Sequence, residues 1–410
     1  MTETQARPSI TDRSTTTGVS RRSMLVGAAA GLAGTALATT PFAGAEAATG
    51  ATSLPLWEAA GRRGILYGSS IASWQLDQDY PALFNRQAAV LWPEDDLLWY
   101  LLKPTPTSPL DFTAGDRMIK LAEDNKQLFF GGPGLVWDDG FGDGWQDSDL
   151  WDISEAQARK LLYGTLRAVV HRYRGRVAAW VVVNEAIVNG TDQGHRGLRK
   201  DVPWYQTIGP EYVRDAFYLA HETDPHACLV LNDFGYDTVS QYGDKPIDKM
   251  RSTLQVLDDL HRHHAPVHAF GVQAHLLADQ FKERFHAKLF RGFLRELSDR
   301  GLKIFITEMD VLDDGLPAAT KPRDRAVADV YRRYLDVALD ERDVAAVLSF
   351  GLTDRYTWLQ EDMPRDDGAA RRPLAFDDAL HRKPAFYAIR EGLASAPRRR
   401  PQFVPPRARC

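Results

Sequence analysis

Short apolar runs recur along this chain and alternate with longer stretches whose apolar residues return at helical spacing. The runs Gly64 to Gly68, Ala88 to Trp92, Leu128 to Gly131, Ala178 to Val183, Cys228 to Leu231, His268 to Val272, Lys303 to Ile306 and Ala345 to Phe350 are each too short for a helix. They show no polar alternation, as expected of parallel strands buried on both faces. Between them, Glu155 to His171, Glu211 to Glu222, Ile247 to His264, Ala287 to Arg300 and Arg323 to Asp340 read as amphipathic helices. Strands alternating with helices in this number predict an α/β protein, a single-domain (β/α)8 TIM barrel rather than an open sheet. No short period recurs, so a solenoid is excluded.

A barrel of this kind places its active site at the carboxyl ends of the strands. Trp180-Val181-Val182-Val183 ends in Asn184-Glu185, and Lys303-Ile304-Phe305-Ile306 runs through Thr307 to Glu308 and Asp310. Asn232-Asp233 and the pair Gln273 and His275 close two further runs. Placing such groups at the exit of a buried strand is costly unless they act there. A single Glu at a strand end is more often a structural ion-pair partner. Here Glu185 follows the fourth strand and Glu308 the seventh, so both face one mouth, and paired carboxylates are what glycoside hydrolysis requires. Trp92, Trp99, Trp137, Phe234, Phe350, Tyr356 and Trp358 crowd the same ends. Their faces suit the C–H surfaces of a sugar, although each could equally fill the core.

Composition narrows the partners. The chain has 410 residues, 44% hydrophobic, and a net charge of −5. The length supports a large core, and the mild acidity excludes a nucleic-acid binder, which needs a basic face. The two cysteines, Cys228 and Cys410, make no disulfide framework, and Cys228 in its apolar run is expected to be a buried small hydrophobe.

The N-terminus reads as a leader. Ser20-Arg21-Arg22-Ser23-Met24-Leu25 has the twin-arginine form and precedes a weakly apolar Gly/Ala run to Thr40, with small residues around Ala43-Gly44-Ala45 and Ala45-Glu46-Ala47. Residues 1–48 are therefore expected to be a signal peptide, with a secreted or periplasmic bacterial domain over 49–395 that keeps no stable membrane association after cleavage. Residues 396–410, with Arg398-Arg399-Arg400 and several prolines, read as a disordered tail. His261, His263, His264 and His268 lack a Cys or carboxylate partner at useful spacing and read as a solvated cluster, so no metal and no cofactor is expected. The glycine-rich run Asp138 to Gly144 reads as a mobile loop facing substrate.

Beyond these features, the chain resembles glycoside hydrolase family 10, the family of the endo-β-1,4-xylanases, over roughly residues 64 to 390. The resemblance rests on Trp180 to Glu185, Leu231-Asn232-Asp233-Phe234, Phe270 to Leu276, Ile306-Thr307-Glu308-Met309-Asp310, Phe350 to Trp358 and Lys383-Pro384-Ala385-Phe386-Tyr387. It implies a cofactor-free retaining enzyme, with Glu308 as nucleophile and Glu185 as general acid and then base. It further implies that Asn184 bonds the sugar 2-hydroxyl, that His275 held by Asp310 orients Glu308, and that Gln273 lies beside them. Glu94, Asp95, Trp99, Trp137, Asp138, Asn232, Phe350 and Trp358 are the expected sugar-binding positions.

Departures from the family pattern fall on the glycone side. Where the family reads Glu-Asn-Glu-Met-Lys-Trp, this chain has Glu94-Asp95-Asp96-Leu97-Leu98-Trp99. Where it reads Arg-Gly-His-Thr-Leu-Val-Trp-His, this chain has Gly131-Gly132-Pro133-Gly134-Leu135-Val136-Trp137-Asp138, and Phe350 replaces a Trp. Hydroxyl-bonding donors are lost and carboxylates appear, which touches substrate choice rather than reaction type. Three readings stay open: a monomeric retaining enzyme acting on β-1,4-xylan, the same chemistry on another β-glycoside, and a catalytically weak carbohydrate-binding relative.

Overall fold

The computed structural model describes residues 54–76, 79–189, 194, 196–238 and 245–405; the twin-arginine leader and Cys410 lie outside the described residues. Eight parallel strands close into a barrel: β1 Leu66–Ile71, β2 Val90–Pro93, β3 Leu128–Gly131, β4 Ala179–Asn184, β5 Cys228–Asp233, β6 Ala269–Val272, β8 Lys303–Leu312 and β9 Val344–Ser349. Each pairs with the next in this order, and β1 pairs with β9 to close the ring. The short β7, His275–Leu277, extends the line of β6 along the upper half of β8. The (β/α)8 expectation therefore holds.

The uninterrupted apolar runs have a simple cause. Successive side chains alternate between the barrel interior and the helical layer, and both are dry. Val90, Trp92, Phe130, Ala179, Val181, Cys228, Val230, Phe305 and Leu348 fill the interior. Leu91, Phe129, Trp180, Val182, Leu229, Ile304 and Val347 face the surrounding helices. Cys228 is a buried free thiol, as its setting suggested.

Two strands break this alternation where it matters. The pairing of β4 with β5 slips between Val181 and Val183, and the pairing of β8 with β9 slips between Ile306 and Met309. Such bulges re-aim the side chains that follow. Val182 and Val183 both join the outer layer, which turns Asn184 inward opposite Asn232. Thr307 and Glu308 both reach Asn232. The bulges rotate the polar residues into the mouth.

The C-terminal segment differs from its sequence reading. Up to Pro405 it lies against the barrel floor, at the opposite end from Glu185 and Glu308, instead of forming a solvated tail. Phe403 packs under the barrel interior, 5.7 Å from the ring of Phe130 and 6.2 Å from that of Phe305. The Arg399 guanidinium donates to the carbonyls of Leu339, Glu341 and Val344 at 2.7–2.8 Å. The Arg399 amide also bonds the Arg63 carbonyl at 2.9 Å. Gly64, at φ +82°, is required by this approach, since a Cβ there would lie 2.1 Å from the Arg399 carbonyl oxygen. The basic, proline-rich composition hid one aromatic residue with a dry place to go.

Candidate active site

Glu185 leaves β4 in the left-handed region, at φ +56°. A non-glycine residue there is strained by about 1–2 kcal/mol and persists only where its surroundings hold it. Its Oε1 accepts from Gln273 Nε2 at 2.9 Å, and its Oε2 accepts from Trp137 Nε1 at 3.1 Å. Burial pushes its carboxyl up to about 8, with the charges of Asp233, Asp138 and Glu308 adding to the effect and the Gln273 hydrogen bond opposing it.

Glu308 sits within β8 rather than beyond its end. Its Oε1 accepts from Asn232 Nδ2 at 2.8 Å, and its Oε2 lies 3.4 Å from His275 Nε2. His275 Nδ1 bonds Asp310 Oδ1 at 2.8 Å, and Trp358 Nε1 donates to the other Asp310 oxygen at 2.7 Å. Burial alone would lower the imidazole pKa, but the Asp310 and Glu308 carboxylates overrule it and raise it to about 10. At neutral pH His275 is therefore a cation donating from both ring nitrogens, one to each carboxylate.

The two carboxylates belong to one array. Asn184 Oδ1 accepts from Asn232 Nδ2 at 2.9 Å and from Gln273 Nε2 at 3.3 Å, so the amides that hold Glu308 and Glu185 meet on one oxygen. Thr307 Oγ1 fixes the Asn232 amide by donating to its Oδ1 at 2.7 Å. Among the described residues, Asn184 Nδ2 donates only to Glu185 Oε1, at 3.4 Å, which leaves it capacity for an incoming hydroxyl. Gly271 makes room for this array, since a Cβ there would fall 2.1 Å from Asn232 Oδ1.

Of the expected sugar-binding positions, Glu94 and Asp95 are buried beside the mouth. Glu94 Oε2 accepts from Ser70 Oγ at 2.7 Å, and Asp95 Oδ2 accepts from Trp74 Nε1 at 3.1 Å. Trp74 is 40% exposed and meets Tyr356 edge to face. Phe350 is buried behind His275 and Trp358 and backs the site rather than lining it. Trp99 does not join the site. It is 2% exposed and packs among Phe141, Trp145 and Trp204. That aromatic cluster, with the Tyr100 amide bonded to the Gly140 carbonyl, pins the Asp138 to Gly144 loop, which is therefore fixed rather than mobile. Asp138 faces Arg199, bonded at 2.9 and 3.2 Å, instead of open cleft. His268, at the opposite end of the barrel, accepts from the Leu229 amide.

Sequence reading missed three charged residues here. Arg199 donates to the Glu185 carbonyl at 3.0 Å. Lys249 is buried, 2.7 Å from Asp233 Oδ1 and bonded to the Ile187 carbonyl at 3.2 Å, while Asp233 Oδ2 accepts from the Ile187 amide at 2.9 Å. Asp96 is buried behind Asp95, its carboxyl pushed up to about 7 by burial. In a loop or on a helix such residues read as solvated, because their partners are distant in the chain: 14 residues separate Arg199 from Glu185, and 62 separate Lys249 from Ile187.

A (β/α)8 barrel with two carboxylates held by amides and an imidazolium in one mouth, one just past its fourth barrel strand and one inside the seventh, defines a glycoside hydrolase. The chain belongs to Glycosyl hydrolase family 10, whose sequence model matches residues 56–392. It is 28% identical over 330 residues to endo-1,4-beta-xylanase B of Thermotoga neapolitana, covering 80% of this chain and 87% of that one. It is 29% identical over 318 residues to a beta-1,4-xylanase of Dictyoglomus thermophilum, covering 76% of this chain and 83% of that one. Among solved structures, native xylanase 10B of Thermotoga maritima superposes with a TM-score of 0.71 at 29% identity, over 83% of this chain and 98% of the other. Xylanase 10B of Thermotoga petrophila RKU-1 in complex with xylobiose gives 0.71 at 28% identity, over 83% and 97%.

Proposed function

We propose that this protein hydrolyses a β-1,4-xylan-type polysaccharide by double displacement, with Glu308 as nucleophile and Glu185 as acid and then base. The observation that carries the reading is the shared array in which Asn184, Asn232 and Gln273 join the two carboxylates. The Asn232 amide and the His275 ring hold the two Glu308 oxygens in place for attack on the anomeric carbon. Glu185, with its pKa near 8, holds a proton at neutral pH and gives it to the departing oxygen. Glycosylation removes the Glu308 charge, one of the causes raising Glu185, so the Glu185 pKa falls. It is then suited to take a proton from water in the second step. Asn184 Nδ2 is the donor for the sugar 2-hydroxyl.

One observation favours a glycone other than unsubstituted xylose. Asp95 stands where the family has an amide, and a carboxylate accepts but cannot donate. With Leu98 and Pro133 replacing Lys and His, sugars that reach this end must bring their own donors.

The test is a panel of aryl β-xyloside, aryl β-cellobioside, xylan and other β-glycans. Turnover of none of them would point to the carbohydrate-binding reading. Glu308→Ala should lose activity and regain it with azide, giving the α-glycosyl azide. The β-azide from Glu308→Ala would reverse the two roles. We also propose twin-arginine export; a fusion of residues 1–48 to a reporter should leave the cytoplasm, and Arg21→Lys with Arg22→Lys should retain it.

A further inference from the structure

The general acid sits on the least regular backbone in the site, and the neighbouring groups suggest how it is held. Glu185 has left the β4 ladder, so the ladder no longer fixes its main chain beyond one bond from its amide to the Asn232 carbonyl. Its carbonyl accepts from Arg199 Nη1 at 3.0 Å, and the Arg199 amide bonds the Ala186 carbonyl at 2.9 Å. The same guanidinium takes both oxygens of Asp138, at 3.2 and 2.9 Å, and also meets Asp201. Asp138 directly follows Trp137, whose indole donates to Glu185 Oε2 and whose carbonyl accepts from Trp204 Nε1 at 2.8 Å. One side chain therefore ties together the backbone of the acid and the loop that supplies a donor to its carboxyl.

We propose that the Asp138–Arg199 ion pair is a latch that positions the general acid, with Arg199 and Asp138 acting through Glu185 and Trp137 rather than on the sugar. The inference rests on the reading of Glu185 as acid/base. It also explains Asp138, which stands where the family carries a histidine: the carboxylate faces a guanidinium fork that suits it two oxygens at a time. Cutting the latch deprives the Glu185 carbonyl of its Arg199 donor and unties the Glu185 turn from the Trp137 loop, so the carboxyl and its indole donor lose their register. Displacement of a catalytic group by about 1 Å costs on the order of 10²-fold in rate.

The latch predicts a loss that depends on the leaving group. A 2,4-dinitrophenyl leaving group departs without a proton, whereas an alkyl or sugar leaving group needs one. For Arg199→Met, kcat/KM on unactivated β-xylo-oligosaccharides should fall about 10²-fold, within the ~10²–10⁴-fold that a general acid supplies. On the 2,4-dinitrophenyl β-glycoside it should fall less than about threefold. This second value also shows that the variant is folded. Asp138→Asn, nearly isosteric, should show the same selectivity to a smaller degree. The double variant should be no worse than Arg199→Met alone, because the pair acts as a unit. Equal losses on both substrates, or additive losses in the double variant, would overturn the latch. Glu185→Ala is the reference: if it lacks the leaving-group signature, the acid/base assignment fails. If it shows the signature while Arg199→Met does not, the latch alone fails.

Discussion

The segment beneath the barrel allows a quantitative test of how this fold divides its labour. Phe403 and Arg399 are replaced by Ala, singly and together. A fully buried Phe→Ala change costs about 3–5 kcal/mol, and Phe403 is only partly buried, so roughly 2 kcal/mol is expected. Arg399 donates to three carbonyls, and losing a charged donor costs about 1.5–3 kcal/mol, reduced here because the side chain is part exposed and water reaches the floor. Both residues hold the same segment, so the losses are not independent, and the double variant should lose about 3–4 kcal/mol. With about 2.1 cal/mol/K of unfolding entropy per residue, a barrel of roughly 350 residues loses about 1.4 °C per kcal/mol, or some 4–6 °C for the double variant. Scanning calorimetry measures the midpoint, and kcat/KM on an aryl β-xyloside at 25 °C should stay within about twofold of the parent, because catalytic residues occupy the other face. A midpoint moved by less than about 1 °C would refute the plug. Lost activity at 25 °C with an unchanged midpoint would show that floor and mouth are coupled.

Three further outcomes follow from the site. The acid must carry its proton, so kcat/KM should fall as pH rises through about 8; Asp233→Asn removes the largest charge raising Glu185, so a pH profile should show this limb moved to lower pH. Asp310→Asn takes away the main partner that raises His275 toward 10, so the imidazole should titrate nearer 6.5 by NMR and kcat should fall. The stability from the raised His275, fully present below pH 6.5 and lost as pH rises toward 10, should shrink with it. Gly271→Ala would drive a methyl into Asn232, so activity on every substrate should fall by at least about 10²-fold; near-parental kcat/KM would show that the array tolerates the shift.

How much of this was legible in the chain depends on the kind of information each feature needs. Runs such as Trp180 to Val183 declare buried strands because both faces are dry, and their order implies the barrel. The bulges at Val182-Val183 and Thr307-Glu308 leave no mark, because an inserted residue cannot be seen in a run that has no polar period. Glu185, Glu308, Asn184, Gln273 and His275 stood out as polar groups at apolar strand ends, and the structure joins all five. Trp99 was read among the aromatic residues of the same mouth, but an aromatic ring there can turn toward sugar or toward other rings, and Phe141, Trp145 and Trp204 decide the matter from distant parts of the chain. Arg199 and Lys249 carry charges that a chain alone assigns to solvent, and only the fold brings them to the Glu185 carbonyl and to Asp233.

The placement of Glu308 within β8, with the strand continuing beyond it to Leu312, has a mechanical consequence. The carboxylate that must form and break a bond to carbon is mounted inside a strand that is paired before it, over Lys303–Ile306, and again after it, over Asp310–Leu312. Its partner at Glu185 hangs from a turn fastened at a few points, and it must serve two oxygens in succession, one leaving and one arriving. Rigidity and compliance are thus assigned to different carboxylates. Substitutions in the turn should spread the acid over a wider range of positions while leaving the nucleophile registered to the barrel.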